Sequence, residues 1–181
     1  MSNKKSAVTK KSHKDFYKKD KGILTKLSPE KRHQLIGEVT SLLILSEIHH
    51  KFLINDIATS FFPPLHLNQF KLYKNKEGNP VALVTWAFLS KEAEKKHINH
   101  QMLDPEDWNS GDRIWFINTL APLGHFKQVY KDLKENVFPD KMIKTIRITK
   151  DAKLKGVSEF YGLNYKKPET KKAEQEKKIL I

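Results

Sequence analysis

Gln69-Phe70-Lys71-Leu72-Tyr73, Asn75-Lys76-Glu77-Gly78-Asn79 and Pro80-Val81-Ala82-Leu83-Val84-Thr85-Trp86 read, in that order, as a strand, a turn and a second strand. β-Branched and aromatic residues fill the outer stretches, while the middle one carries the Asn and Gly that tight turns need. An antiparallel hairpin is therefore predicted, and the fold is built outward from it. Upstream, Ser28-Pro29-Glu30 supplies a capping serine, a proline for the first helical position and an early acid, so ordered structure is expected to begin there. Leu35, Ile36, Val39, Leu42 and Leu43 follow at helical spacing and predict a core-facing helix that ends near Ser46-Glu47. Ile48-His49-His50 is then delivered to that helix end or to the turn beyond. A second short helix is predicted to stop before Pro63-Pro64, because proline disfavours helical geometry in the residue preceding it.

Downstream of the hairpin, Ser90-Lys91-Glu92-Ala93-Glu94 reads as a capped helix start. Asp107-Trp108-Asn109-Ser110-Gly111-Asp112 reads as a loop leading into a strand from Arg113 to Leu120. A helix over 126–136 and strands over 142–149 and 156–162 complete the pattern. Helices, a hairpin and then alternating strands and helices predict a single α/β domain of the α+β kind, with a mixed sheet flanked by helices. Residues 28–165 form this domain. A basic, flexible extension (1–27) is expected to precede it and a charged tail (166–181) to follow.

With 38% hydrophobic content in 181 residues, the chain has material for one core and too little for two once its charged ends are set aside. No apolar run approaches a membrane span, and the Lys-rich start lacks the apolar centre of a signal peptide, so a cytoplasmic protein is expected, with at most peripheral membrane contact. A net charge of +13 predicts attraction to something acidic, and nucleic acid, anionic lipid and acidic proteins all qualify. Phe70 and Tyr73 on a sheet face would suit nucleic-acid stacking, but no helix-turn-helix, RNA-recognition signature or zinc motif accompanies them, so no nucleic-acid partner is expected.

The absence of cysteine removes thiolate nucleophiles and cysteine-based metal sites, and leaves catalysis to His, Asp, Glu, Ser, Tyr or Lys. There is no Walker-type loop, dinucleotide fingerprint or G-x-S-x-G elbow, and the seven glycines form no phosphate-cradling cluster. His97 and His100, at i and i+3, could share a helix face, yet no third metal ligand is evident and no metal is expected. His49 lies between an apolar helix and Phe52-Leu53-Ile54, where partial burial would tune its pKa. Taken alone, an isolated histidine is more often structural than catalytic.

The run Trp108-Asn109-Ser110-Gly111-Asp112-Arg113-Ile114-Trp115-Phe116-Ile117-Asn118, continuing to Ala121-Pro122-Leu123-Gly124, is more distinctive. It resembles the RTX toxin-activating lysine acyltransferases, the hemolysin-activating family. Ser46-Glu47-Ile48-His49-His50 looks like that family's Ser-Pro-Leu-His-Arg segment, and Pro80-Val81-Ala82-Leu83-Val84-Thr85-Trp86-Ala87 like its Pro-Val-Ala-Tyr-Cys-Ser-Trp-Ala strand. Thr145-Ile146-Arg147-Ile148 and Gly156-Val157-Ser158-Glu159-Phe160-Tyr161-Gly162 resemble two further stretches in the same order, so the similarity runs over roughly residues 30 to 165.

The resemblance implies a GNAT-like fold and no resident cofactor. It also implies transfer of a fatty acyl chain from acyl-acyl carrier protein to internal lysines of an RTX protoxin, and relatives suggest a homodimer. It maps the family's essential histidine onto His49, as general base or as nucleophile. Ser46 and Arg113 match family positions and are expected to support the site or bind substrate. Asn118 stands where the family has aspartate, and its amide oxygen is expected to accept a hydrogen bond from the imidazole and hold it without supplying charge. A regular strand would put Asp112, Ile114, Phe116 and Asn118 on one face, with Asp112 roughly 20 Å away, too far to replace that charge. His50 replaces the family's arginine. The alternatives to catalysis are a weakened homologue that only binds toxin or carrier, and a basic nucleic-acid-binding protein.

Overall fold

The computed structural model describes residues 22–148 and 154–167. β1 (Phe70–Lys74) and β2 (Pro80–Leu89) pair antiparallel, as the strand-turn-strand pattern requires. Asn75 Oδ1 accepts from the Asn79 N–H at 2.8 Å across the turn, and Gly78 takes a φ of 84° that a side chain would resist. β3 (Arg113–Leu120) joins β2 antiparallel, β4 (Met142–Ile148) joins β3 parallel, and β5 (Leu154–Tyr161) pairs antiparallel with β4. The result is one five-stranded mixed sheet in the order β1-β2-β3-β4-β5. Its parallel seam is short: only Trp115↔Lys144 and Phe116↔Thr145 are in register, and both strands then continue without pairing to each other.

Helices cover both faces, as the near-continuous burial along β2 demands. On one face Ala82, Val84, Trp86, Ile114 and Phe116 pack against Val129 and Leu133, which come from α6 (Phe126–Asp132) and the π-helical turn Leu133–Val137. On the other, Leu83 and Leu120 meet Val39, Leu42 and Leu43 of α2 (Pro29–Leu45), together with Phe61 and Leu65. Ala87, Leu89 and Trp115 continue that second face beneath Ala93 of α5 (Lys91–Ile98) and Trp108 of the 3₁₀ turn Pro105–Trp108. The predicted caps form: Ser28 Oγ accepts from the Lys31 N–H at 3.4 Å and Ser90 Oγ from the Ala93 N–H at 3.1 Å. Gly111 is required by the loop that feeds β3, because a Cβ there would sit 2.5 Å from the Leu89 carbonyl oxygen.

Three expectations change. Ordered structure begins before Ser28, in α1 (Ile23–Lys26), whose Leu24 is buried with the α2 leucines; periodicity cannot register four residues with one apolar anchor. The helix predicted to stop before Pro63 does stop, as α3 (Ile54–Ser60), but α4 (Phe62–His66) follows with both prolines in its first turn. First-turn N–H groups have no intrahelical acceptor, so prolines lose nothing there. The helix predicted over 126–136 changes to π geometry after Asp132 and reaches Val137. Thr149, residues 1–21 of the basic extension and the tail beyond 167 lie outside the described residues. Among the described residues no helix is long and apolar enough to cross a membrane.

Candidate active site

α2 ends where Ser46 turns extended, with φ −86° and ψ 123°, and a 3₁₀ turn over His49–Lys51 follows. Ser46 organises that turn with both of its oxygens. Its carbonyl accepts from the His50 N–H at 3.0 Å and lies 2.9 Å from His50 Nδ1; a carbonyl only accepts, so His50 Nδ1 carries a proton and donates it. Its Oγ accepts from the His49 N–H at 3.4 Å and lies 2.7 Å from His49 Nδ1. His50, standing in place of the family arginine, is thus committed to the turn.

The imidazole of His49 is half-buried between aromatic rings, with the Phe52 centroid 5.0 Å and the Phe61 centroid 6.0 Å away. Phe61 is fully buried at the junction of α3 and α4. Desolvation by this surround lowers the His49 pKa to about 4, so the ring is neutral at pH 7 with one nitrogen lone pair available. A ¹H–¹³C NMR titration of the histidine Cε1–H signals, assigned with His49→Gln, is expected to show His49 titrating near 4, and a midpoint at the ordinary 6.5 would remove the desolvated site.

Asn118 is buried, but it does not share a face with Ile114 and Phe116. Thr85 pairs with Asn118 and Trp86 with Phe116, which leaves Ile117 as an extra residue, a β-bulge. The bulge breaks the alternation of a regular strand and turns Asn118 and Leu120 to the face of Thr85 and Leu83, the face that α2, α3 and α4 cover. There the Asn118 amide nitrogen donates to the Ser60 carbonyl at 3.2 Å and to Thr85 Oγ1 at 3.1 Å. Ser60 directly precedes Phe61, so Asn118 fastens the backbone that carries the ring against His49. Among the described residues no hydrogen bond joins Asn118 to His49; Ser46 holds the imidazole instead. Asp112 lies beyond the bulge, on an exposed side chain 3.4 Å from Arg113, and supplies no charge to this site.

Thr85 and Ser60 are the site residues that sequence reasoning missed. Thr85 is fully buried, and its Oγ1 also accepts the Asn118 backbone N–H at 3.1 Å, the donor that the bulge frees from the ladder. Thr85→Val would leave both Asn118 donors without this acceptor at a cost of about 1–3 kcal/mol, whereas Thr85→Ser would keep it. Urea denaturation of the two variants measures the difference.

Arg113 is not brought to His49. It pairs at the level of Leu89, four ladder positions from the Thr85–Asn118 pair or about 13 Å along the sheet, and its Nε lies 3.2 Å from Glu94 Oε2. His97 packs edge-on against Trp115, with centroids 5.0 Å apart, and desolvation and then the His100 charge lower its pKa to about 4. No cluster of three metal-ligating side chains occurs among the described residues.

One five-stranded mixed sheet with helices on both faces, whose parallel seam ends after two pairs, is an α+β domain compatible with the GNAT-like acyltransferase fold. The chain belongs to the RTX toxin acyltransferase family, whose sequence profile matches residues 28–161. An uncharacterized protein of Synechocystis is 35% identical over 122 residues, 66% of this chain and 83% of its own. The RTX-I toxin-activating lysine-acyltransferase ApxIC of Actinobacillus pleuropneumoniae is 36% identical over 130 residues, 71% of this chain and 74% of its own. The protein-lysine myristoyltransferase HlyC of Escherichia coli is 36% identical over 130 residues, 71% of this chain and 75% of its own.

Proposed function

We propose that this protein activates an RTX protoxin in the cytoplasm by moving a fatty acyl group from acyl-acyl carrier protein to lysine side chains. Family membership supports the reaction class, and the observation that carries it to this chain is the His49 imidazole, desolvated and held at Nδ1 by Ser46. A hydroxyl oxygen accepts twice, so Ser46 Oγ can take both the His49 N–H and the Nδ1–H. That arrangement leaves the lone pair on Nε2, on the side away from Ser46.

A base with a pKa near 4 does not deprotonate an ordinary lysine ammonium, whose pKa is about 10.4. The apolar surround that favours neutral imidazole also favours neutral amine. The amine nitrogen attacks the thioester carbon, and on bonding it becomes acidic enough for Nε2 to take its proton. The C–S bond then breaks, and the imidazolium returns that proton to the departing thiolate, leaving an amide and free carrier thiol. Direct attack of Nε2 on the thioester would use the same lone pair. The +13 charge suits an acidic carrier protein as donor.

Intact-peptide mass spectrometry of the cognate protoxin, coexpressed with this protein, tests the reading. Fatty amides on particular lysines are expected. An unmodified protoxin, under conditions in which an active family member modifies its own toxin, would overturn catalysis in favour of binding alone.

A further inference from the structure

Glu94 lies on α5, beyond the reach of His49, yet its carboxylate collects donors from both strands of the parallel seam. Oε1 accepts from Trp115 Nε1 at 3.0 Å and from Lys144 Nζ at 2.9 Å, while Oε2 lies 3.2 Å from Arg113 Nε. Trp115 and Lys144 are register partners in the first of the two pairs that join β3 to β4. One carboxylate therefore ties together the side chains of the first pair of the seam, one residue before the two strands run apart. The Lys144 ammonium also lies 5.8 Å from the Trp115 ring centroid, which adds a second contact across the same seam. Burial works against the charge on Glu94, but hydrogen bonds from Lys144 and Trp115 and the Lys144 and Arg113 charges outweigh it and hold the carboxyl below its usual pKa. The side chain is only 12% exposed, so these bonds are screened far less than surface pairs.

Two ladder pairs are a weak seam for strands that must hold a fixed angle. The consequence reaches the site through three residues: Ile117 bulges just after the last pair, Asn118 follows, and Asn118 fastens Ser60 and hence the Phe61 ring beside His49. We propose that Glu94 is a positioning residue for acyl transfer, a clamp at the seam that fixes how β3 and β4 part and so where Asn118 and the aromatic wall of His49 stand. The inference rests on the acyltransferase reading above. Displacements near 1 Å at a reacting centre cost about 10²-fold in rate, so a clamp of this kind acts on turnover without touching substrate.

The test uses the full chain with Glu94→Gln, which keeps an acceptor for Trp115 but removes the charge, and Glu94→Ala. Hydrogen exchange, thermal melting and steady-state acylation are measured on each. With Glu94→Gln folded at the assay temperature, turnover is expected to fall roughly 10-fold to 100-fold with KM for protoxin within about twofold. Amides of 118–120 and 146–147 are expected to exchange faster while those of the β1–β2 hairpin do not. Wild-type turnover by a folded Glu94→Gln, or a loss in Glu94→Ala no larger than its unfolded fraction, would overturn the clamp. If the wild-type protein acylates nothing, the functional reading fails, and exchange alone decides the clamp: unchanged rates at both strand ends overturn it, and selective acceleration sustains it.

Discussion

His49→Gln leaves a folded protein whose acyl transfer falls by about 10²-fold to 10⁴-fold, the range that a positioned acid–base group contributes. Glutamine approximates the volume of imidazole between Phe52 and Phe61 and can still face Ser46, so the pocket keeps its walls. It has no nitrogen lone pair that can take the amine proton and later release it to the thiolate. Stability is expected to move the other way in mild acid. The native pKa of His49, about 4, lies below the unfolded value near 6.5, so between those two values the unfolded chain binds more protons and the native state loses stability as pH falls. Removing the imidazole removes that loss. Relative to wild type, His49→Gln should therefore tolerate pH 5 better than pH 7.5 in urea denaturation while failing in acylation at every pH. A variant that lost activity only where it lost structure would show that His49 is a packing residue.

The features legible from the residues are those with short-range causes. The Asn75–Asn79 turn, the Ser28 and Ser90 caps and the apolar stripe of α2 each depend on neighbours within a few positions, and each forms as predicted. So does the delivery of His49 to the turn beyond α2, since Ser46 ends the helix and bonds three and four residues onward. The features that escaped depend on partners far along the chain. Nothing in Trp115-Phe116-Ile117-Asn118-Thr119-Leu120 marks Ile117 as the extra residue; the bulge is defined by Thr85 and Trp86, more than thirty positions away. The imidazole–Asn118 bond is what the family resemblance implies, and the shared face of Asp112 and Asn118 presumes a regular strand; the bulge instead turns the Asn118 amide to Ser60 and Thr85. Arg113 and Glu94 are ordinary charges in sequence, and only the pairing of β3 with β4 places both on one seam. The RTX family resemblance points to His49, while Ser46 as the group that holds its ring is seen only in the geometry.

Ser46→Ala carries the second large effect, because in the proposed reaction this side chain sets the tautomer of the His49 ring. Without Oγ, His49 Nδ1 loses its 2.7 Å neighbour and the His49 backbone N–H loses its acceptor. Neutral imidazole in an unrestrained site divides between two tautomers, and the one with its proton on Nε2 can neither take the amine proton nor attack the thioester. In protease triads the wrong tautomer costs about 10⁴-fold. A smaller loss, about 10²-fold, is expected here, because the Phe52 and Phe61 rings still confine the imidazole and water can reach a half-buried Nδ1. Ser46 contacts neither substrate in the proposed reaction, so the loss should fall on kcat with KM unchanged. Losing the local hydroxyl cap adds about 0.5–2 kcal/mol of destabilisation. Ser46→Thr, which keeps a hydroxyl, should recover most of both. Single-turnover acylation with thermal melting on the three proteins separates the effects: equal rates for Ser46→Ala and Ser46→Thr would mean that the hydroxyl caps a turn and does nothing for the chemistry, whereas a gap of tenfold or more with matched stability would make Ser46 the residue that arms His49.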